Sequence, residues 1–225
     1  MNIQKFKNFI NEHNYLRILK DFIKKILFWI SLQKKINKLN KTNTYLKQFY
    51  GNNQKVKLNL GCCDKQDRGW INIDIDKKFN PDILDDVTVL SCFKDNCADE
   101  IKSAHLIEHL TYEDTLKAFK NWFRVLKKGG ILSIECPNLD KCIDMIRSEE
   151  DSEKIRLGFV GIFGDPWAIK KYGILHSHKH GWNPKTLRVE LKNIGFVDIK
   201  EVKIEETYRY CNQKYERDMR ILAKK

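Results

Sequence analysis

The sequence predicts an α/β domain: a mostly parallel sheet with an antiparallel last strand, shortened first crossovers, and an N-terminal helical appendage over residues 1–54. Three observations carry this. The stretch KVKLNLGCCDKQDRGWINIDID, Lys55 to Asp76, holds two short apolar runs, Val56–Leu60 and Trp70–Ile75. The first ends on a glycine turn and the second on aspartates, which is how a parallel sheet presents its carboxyl edge to a ligand. Strand-like and helix-like stretches follow one another from there on, and the composition changes near residue 55.

The upstream segment is basic. Residues 1–50 carry eleven Lys/Arg against Glu12 and Asp21, most of the formal net charge of +12. The basic character therefore belongs to the appendage and says little about the substrate of the domain. Within it, Tyr15, Ile18, Leu19, Phe22, Ile23, Ile26, Leu27 and Ile30 form one helical stripe. Arg17, Lys20, Asp21, Lys24 and Lys25 lie opposite. Such a helix packs on the domain or on a second subunit, or it lies on an anionic membrane surface. Residues 31–54 read as a weaker helix and a linker. Asn11 to Asn14 break any signal-peptide core, and Ile26–Leu32 is too short to span a bilayer.

The apolar fraction of 42% supports one well-packed domain. Seven cysteines without a C-x-x-C pair argue against a structural zinc site and for reduced thiols in a cytoplasmic protein.

Val56–Leu60 reads as a buried strand and Trp70–Ile75 as the second. Pro81–Leu90 holds a short third, and Asp99–Leu106 is the fourth. Thr111 starts a helix, with Asp114 completing a capping box; Leu116, Phe119, Phe123 and Leu126 supply its apolar face and Gly129 ends it. Ile131–Cys136 is the fifth strand, stopped by Pro137, and 139–150 is helical. Residues 151–183 form an aromatic, glycine-containing insertion. Asn183-Pro184 opens another helix that Gly195 closes. Phe196–Ile204 and Arg217–Ala223 are strands close enough to pair antiparallel. The connection Gly61–Gly69 is too short for a crossover helix.

From residue 55 to about 223 this pattern resembles the class I S-adenosylmethionine-dependent methyltransferases, of the type found in polysaccharide and small-molecule biosynthesis. The segments that carry it are LNLGCC, GWINIDID, FKDNCADEIKSAHLIEHL, FRVLKKGGILSIECPN and HGWNPKTLRVELKNIGF. The resemblance implies a Rossmann-like sheet, S-adenosyl-L-methionine as cofactor, and methyl transfer by in-line displacement to a small-molecule or glycan-linked acceptor, at oxygen.

It also implies the cofactor site. The glycine loop, with Asn59, Gly61 and Cys62, passes under the methionine and ribose. Asp74, with Ile75 beside it, accepts the ribose hydroxyls; a carboxylate suits two vicinal donors. The alternative for Asp74 is a strand-end turn cap, and Asp76 takes the ribose role if the register slips. Asp82 lies near the adenine or serves turn chemistry after Asn80-Pro81. His105 runs beside the methionine end. The family's loop has a second glycine where this chain has Cys63.

Methyl transfer needs a positioned acceptor, exclusion of water and, for a hydroxyl acceptor, a base. His180 and His109 are the catalytic candidates, each weighed against a structural role; Glu108 is read as a helix-start residue. The run His176-Ser177-His178-Lys179-His180 invites a metal reading, but no carboxylate or cysteine stands nearby in sequence, and no metal is expected. Phe163, Trp167, Tyr172 and Trp182 either wall an acceptor pocket or form a satellite core. Two other functions compete: a non-catalytic cofactor-binding protein of this fold, and a nucleic-acid methyltransferase using the basic arm. The arm's charges flank an apolar stripe rather than a groove, which disfavours nucleic acid.

Overall fold

The computed structural model describes residues 17, 19–34, 36–37, 40, 55–148, 151–204 and 216–225. The chain divides into two compact units, Met1–Gln48 and Phe49–Lys225.

In the first unit, helix α1 spans 19–34. Its apolar side chains Leu19, Phe22, Ile23, Ile26, Leu27 and Ile30 are exposed, as are Phe28 and Trp29. Tyr15, Ile18 and most of 31–54 lie outside the described residues. No described helix is long and apolar enough to cross a membrane.

The second unit is built on a seven-stranded sheet of order β3-β2-β1-β4-β5-β7-β6. The strands are β1 (Lys57–Leu60), β2 (Ile71–Asp74), β3 (Ile83–Leu84), β4 (Ala98–Ala104), β5 (Leu126–Pro137), β6 (Val197–Val202) and β7 (Asp218–Lys224). The first five are parallel, and β7 enters antiparallel between β5 and β6. The sheet is therefore the one the sequence predicts. Leu58, Leu60, Ile71 and Ile73 are fully buried, because parallel central strands are covered on both faces.

The short crossovers hold no α-helix. Turns alone join β1 to β2, and a single 3-10 turn, Lys77–Phe79, lies between β2 and β3. Asp76 caps that turn by accepting from the Lys78 amide at 2.9 Å.

Helix α2 (Tyr112–Val125) starts where expected, with Thr111 Oγ1 accepting from the Asp114 amide at 3.1 Å. The box is only half made, since the Asp114 carboxylate takes the Thr111 hydroxyl instead of its amide. The buried face is Ala118, Phe119, Trp122 and Val125, while Leu116 and Phe123 sit at its margin. The helix stops at Val125, four residues before the glycine predicted to end it. Non-local pairing explains the difference. Leu126 pairs with Ala98 at the start of β4, and Gly129 and Gly130 exchange backbone hydrogen bonds with Lys225. Strand β5 thus begins inside the stretch that looks helical.

Helix α3 (Leu139–Ile146) packs against α4 (Ser152–Phe163), the first helix of the aromatic insertion. Gly158 and Gly161 permit the close approach; a Cβ on Gly158 would lie 2.7 Å from the Cys142 carbonyl oxygen, and one on Gly161 would strike the Cys142 sulfur. The insertion continues as α5 (Pro166–Tyr172). Helix α6 (Pro184–Ile194) has the predicted start and stop: Asn183 and Thr186 form a capping box, and Gly195 adopts φ +115°.

Candidate active site

The carboxyl ends of β1, β2, β3 and β4 and the amino end of the antiparallel β7 meet at one edge of the sheet. A cavity of about 460 Å³ opens there, and the insertion helices wall its far side. Gly61 follows β1, Asp74 to Asp76 end β2, Asp86 and Val87 follow β3, His105 and Leu106 follow β4, and Arg217 precedes β7.

The β1 turn is set by sterics and by Asp74. Gly61 has φ +64°, and a Cβ there would lie 2.7 Å from Leu106 Cδ1. Cys63 also adopts a left-handed conformation, φ +43°, at the position where the resembling family has glycine. Its amide donates to Asp74 Oδ2 at 2.8 Å, and the Asp76 amide donates to Asp74 Oδ1 at 2.9 Å. Each Asp74 oxygen retains a further lone pair, and the residue lines the cavity. The turn-cap and ligand readings of Asp74 are thus compatible. A side chain that bridges two loops and still faces the cavity suits the vicinal hydroxyls of a ribose.

Of the residues singled out in the sequence, Gly61, Asp74, Ile75, His105 and His109 line the cavity. Asn59, Cys62, Asp82 and His180 do not. Asn59 donates to the Lys65 carbonyl and to Asn72 Oδ1, holding the β1–β2 turn. Cys62 is fully buried, with its amide on the Ile73 carbonyl. Asp82 accepts from the amide and side chain of Asn72, which is turn chemistry. The carboxylate that faces the cavity after β3 is Asp86, missed in the sequence because β3 is only two residues long. His180 packs edge-on against Trp182, ring centroids 4.6 Å apart. Trp182 is 1% exposed and belongs to the core, whereas Trp167 and Tyr172 are on the cavity wall.

At the cavity floor three carboxylates meet three cations. His105, at φ +50°, places Nδ1 3.1 Å from Glu108 Oε1 and Nε2 3.1 Å from Asp218 Oδ2. Arg217 pairs with Asp218 at 2.8 Å, and Arg220 with Glu135 at 2.6 Å. Burial alone would lower the His105 pKa, but Asp218 and Glu108 overcome it and raise it to about 10. Burial likewise opposes ionisation of Glu108, yet His105 brings its pKa down to about 2. His105 is accordingly an imidazolium that locks the β4 loop to β7.

The next histidine is different in kind. Burial pushes the His109 pKa down to about 4, so its ring is neutral. His109 Nδ1 lies 3.1 Å from the Ser177 carbonyl, and His178 Nδ1 lies 2.8 Å from the Gly161 carbonyl. The two rings meet edge-on, with centroids 4.8 Å apart. Backbone hydrogen bonds from Lys179 and His180 to the Glu108 carbonyl bring the histidine run against the β4 loop. Phe79, Tyr172 and His176 form a ring cluster that joins the β2 side of the cavity to the insertion.

A family model described as a methyltransferase domain matches residues 65–134. That span runs from the β1–β2 turn into β5 and includes Asp74, Asp86 and His105. No curated protein sequence matches significantly. Among solved structures, a SAM-dependent methyltransferase from Archaeoglobus fulgidus is 18% identical, with a TM-score of 0.51, over 82% of this chain and 94% of that one. A second SAM-dependent methyltransferase, from Methanosarcina mazei, is 16% identical at a TM-score of 0.51, over 75% of this chain and 91% of its own. At these identities the likeness is one of fold. With the methyltransferase-domain match over residues 65–134 and the cavity at the carboxyl edge of the sheet, this chain has the fold of the SAM-dependent methyltransferases.

Proposed function

We propose that the enzyme methylates an oxygen of a small-molecule or glycan-linked acceptor, of the kind handled in polysaccharide biosynthesis. The supporting observation is the cavity itself. One end is bounded by Gly61, Asp74 and Ile75, and the other by Trp167, Tyr172, His109 and His178. Flat aromatic walls suit a sugar face or another compact apolar surface.

In this reading Gly61 and Cys63 carry the backbone beneath the cofactor, Asp74 accepts the ribose hydroxyls, and Asp86 takes a donor from the base. Leu106 packs on Gly61 and fixes the loop from below. The cofactor supplies an electrophilic methyl group on a sulfonium. The chain's residues orient the acceptor against it, exclude water and withdraw the acceptor's proton. Glu108, His109 and His178 stand where that proton would leave.

A methyl-transfer assay with labelled cofactor tests this against matched panels of glycosides, phenols, amines and RNA. The expected product is an O-methylated glycoside or phenol. Label found only on amine nitrogen or on RNA contradicts the acceptor assignment.

The exposed apolar side chains of α1, beside Lys20, Lys24 and Lys25, support a second element of the reading: contact with an anionic membrane surface. Flotation with anionic liposomes should retain the full chain and lose it on Phe22→Ser/Leu27→Ser substitution. Equal partitioning of the two contradicts the contact.

A further inference from the structure

We propose that Glu108, His109 and His178 form a binding site for a divalent first-row metal ion, of zinc type, at the acceptor end of the cavity. One ring nitrogen of each histidine and one carboxylate oxygen of Glu108 lie within 4.8 Å of one another. Ligands of a tetrahedral zinc ion, at bonds of about 2.0–2.1 Å, stand roughly 3.4 Å apart, so small side-chain movements close the set.

The surroundings of the three residues fit ligation. In both histidines Nδ1 faces a backbone carbonyl, of Ser177 for His109 and of Gly161 for His178. A carbonyl only accepts, so Nδ1 donates there and Nε2 is the ring nitrogen left for a ligand. That is the outer-shell arrangement that orients metal-bound imidazole. Glu108 is 2% exposed; its Oε1 is taken by His105, while Oε2 has no hydrogen-bond partner. A buried carboxylate oxygen left alone is costly, and a cation satisfies it. Lys179 and Arg156, also on the cavity wall, are exposed to water.

The second buried cluster, His105, Glu135 and Asp218, has a different character. Its carboxylates stand beside the cationic side chains of His105, Arg217 and Arg220, although Glu135 Oε1 and Asp218 Oδ2 make no hydrogen bond. The first cluster brings two imidazoles to one carboxylate, and all three of its residues line the cavity, whereas Glu135 and Asp218 do not.

Three protein ligands facing a cavity leave a fourth position open, the pattern of catalytic rather than structural zinc. Resting on the acceptor reading above, that position takes the acceptor hydroxyl. The hydroxyl proton passes to solvent, an oxygen lone pair forms the new bond to the methyl carbon, and the carbon–sulfur pair leaves on sulfur. The bound cation acts as Lewis acid and is not consumed.

The test is Zn²⁺ binding by the chelator-treated, dialysed full chain, measured by calorimetry, with Co²⁺ absorption reporting the ligand set. The expected result is one equivalent bound, weakened at least about tenfold in Glu108→Gln and in His178→Ala. His178→Cys should restore binding and add a thiolate charge-transfer band to the Co²⁺ spectrum, a change that a merely structural role would not produce. His180→Ala, outside the cluster, should bind as the parent does. No stoichiometric Zn²⁺, or binding unchanged in both Glu108→Gln and His178→Ala, overturns the site. S-adenosylmethionine binding by the same samples reports on the methyltransferase reading separately, because Asp74 is not among the three ligands.

Discussion

Cys63 and Gly61 illustrate how much chemistry one turn can hold. Both adopt left-handed backbone, which is costly for any residue with a Cβ, by about 1–2 kcal/mol. Gly61 avoids that penalty and also makes room for Leu106. Gly61→Ala should therefore lower the melting temperature by several degrees, read by calorimetry; an unchanged transition contradicts the packing argument. Cys63 bears the strain and points a half-exposed thiol at the cavity. In a Cys211→Ser background it should be the first of the six described cysteines to alkylate, since Cys62, Cys92, Cys97, Cys136 and Cys142 are buried. Burial also pushes the Cys142 pKa up to about 11, which keeps that thiol protonated and inert. Bound cofactor should slow Cys63 alkylation. Peptide mapping that finds label first at a buried cysteine would count against this arrangement.

At the scale of elements, the sequence was most legible where local chemistry decides. The Asn183 cap, Pro184 and Gly195 bound α6 as read, because each acts within a turn of its own position. It was least legible where distant strands compete. The stretch after Arg124 has the lysines and glycines of a helix end, yet pairing with Ala98 and Lys225 turns it into strand. The apolar face of α2 was misplaced by about one position for a related reason: Trp122 is drawn inward by a hydrogen bond from its indole to the Val87 carbonyl at 2.8 Å. That bond and full burial make Trp122 an anchor between α2 and the β3 loop. Trp122→Ala should cost about 3–5 kcal/mol in denaturant unfolding, and Trp122→Phe less. A cost below about 1 kcal/mol would show that the helix is held elsewhere.

At the scale of the whole molecule, the glycine loop and Asp74 could be read from the sequence, since strand ends and turns mark the carboxyl edge. The far end of the cavity could not. Glu108 and His109 stand nearly seventy residues before His178, and backbone hydrogen bonds from the insertion to Glu108 bring them together. Sequence spacing carries no trace of that approach, which is why the histidine run looked as if it lacked a carboxylate. That Asp86 rather than Asp82 lines the cavity was hidden for a similar reason, as a two-residue strand leaves the register open. Central to the proposed function is that the sheet's carboxyl edge binds S-adenosylmethionine through Asp74. Calorimetric titration of the cofactor into wild type and Asp74→Ala tests this most directly. Loss of hydrogen bonds to a charged group predicts binding weaker by about 10- to 150-fold in a variant that remains folded. Equal affinity in the two proteins would contradict the assignment of the site.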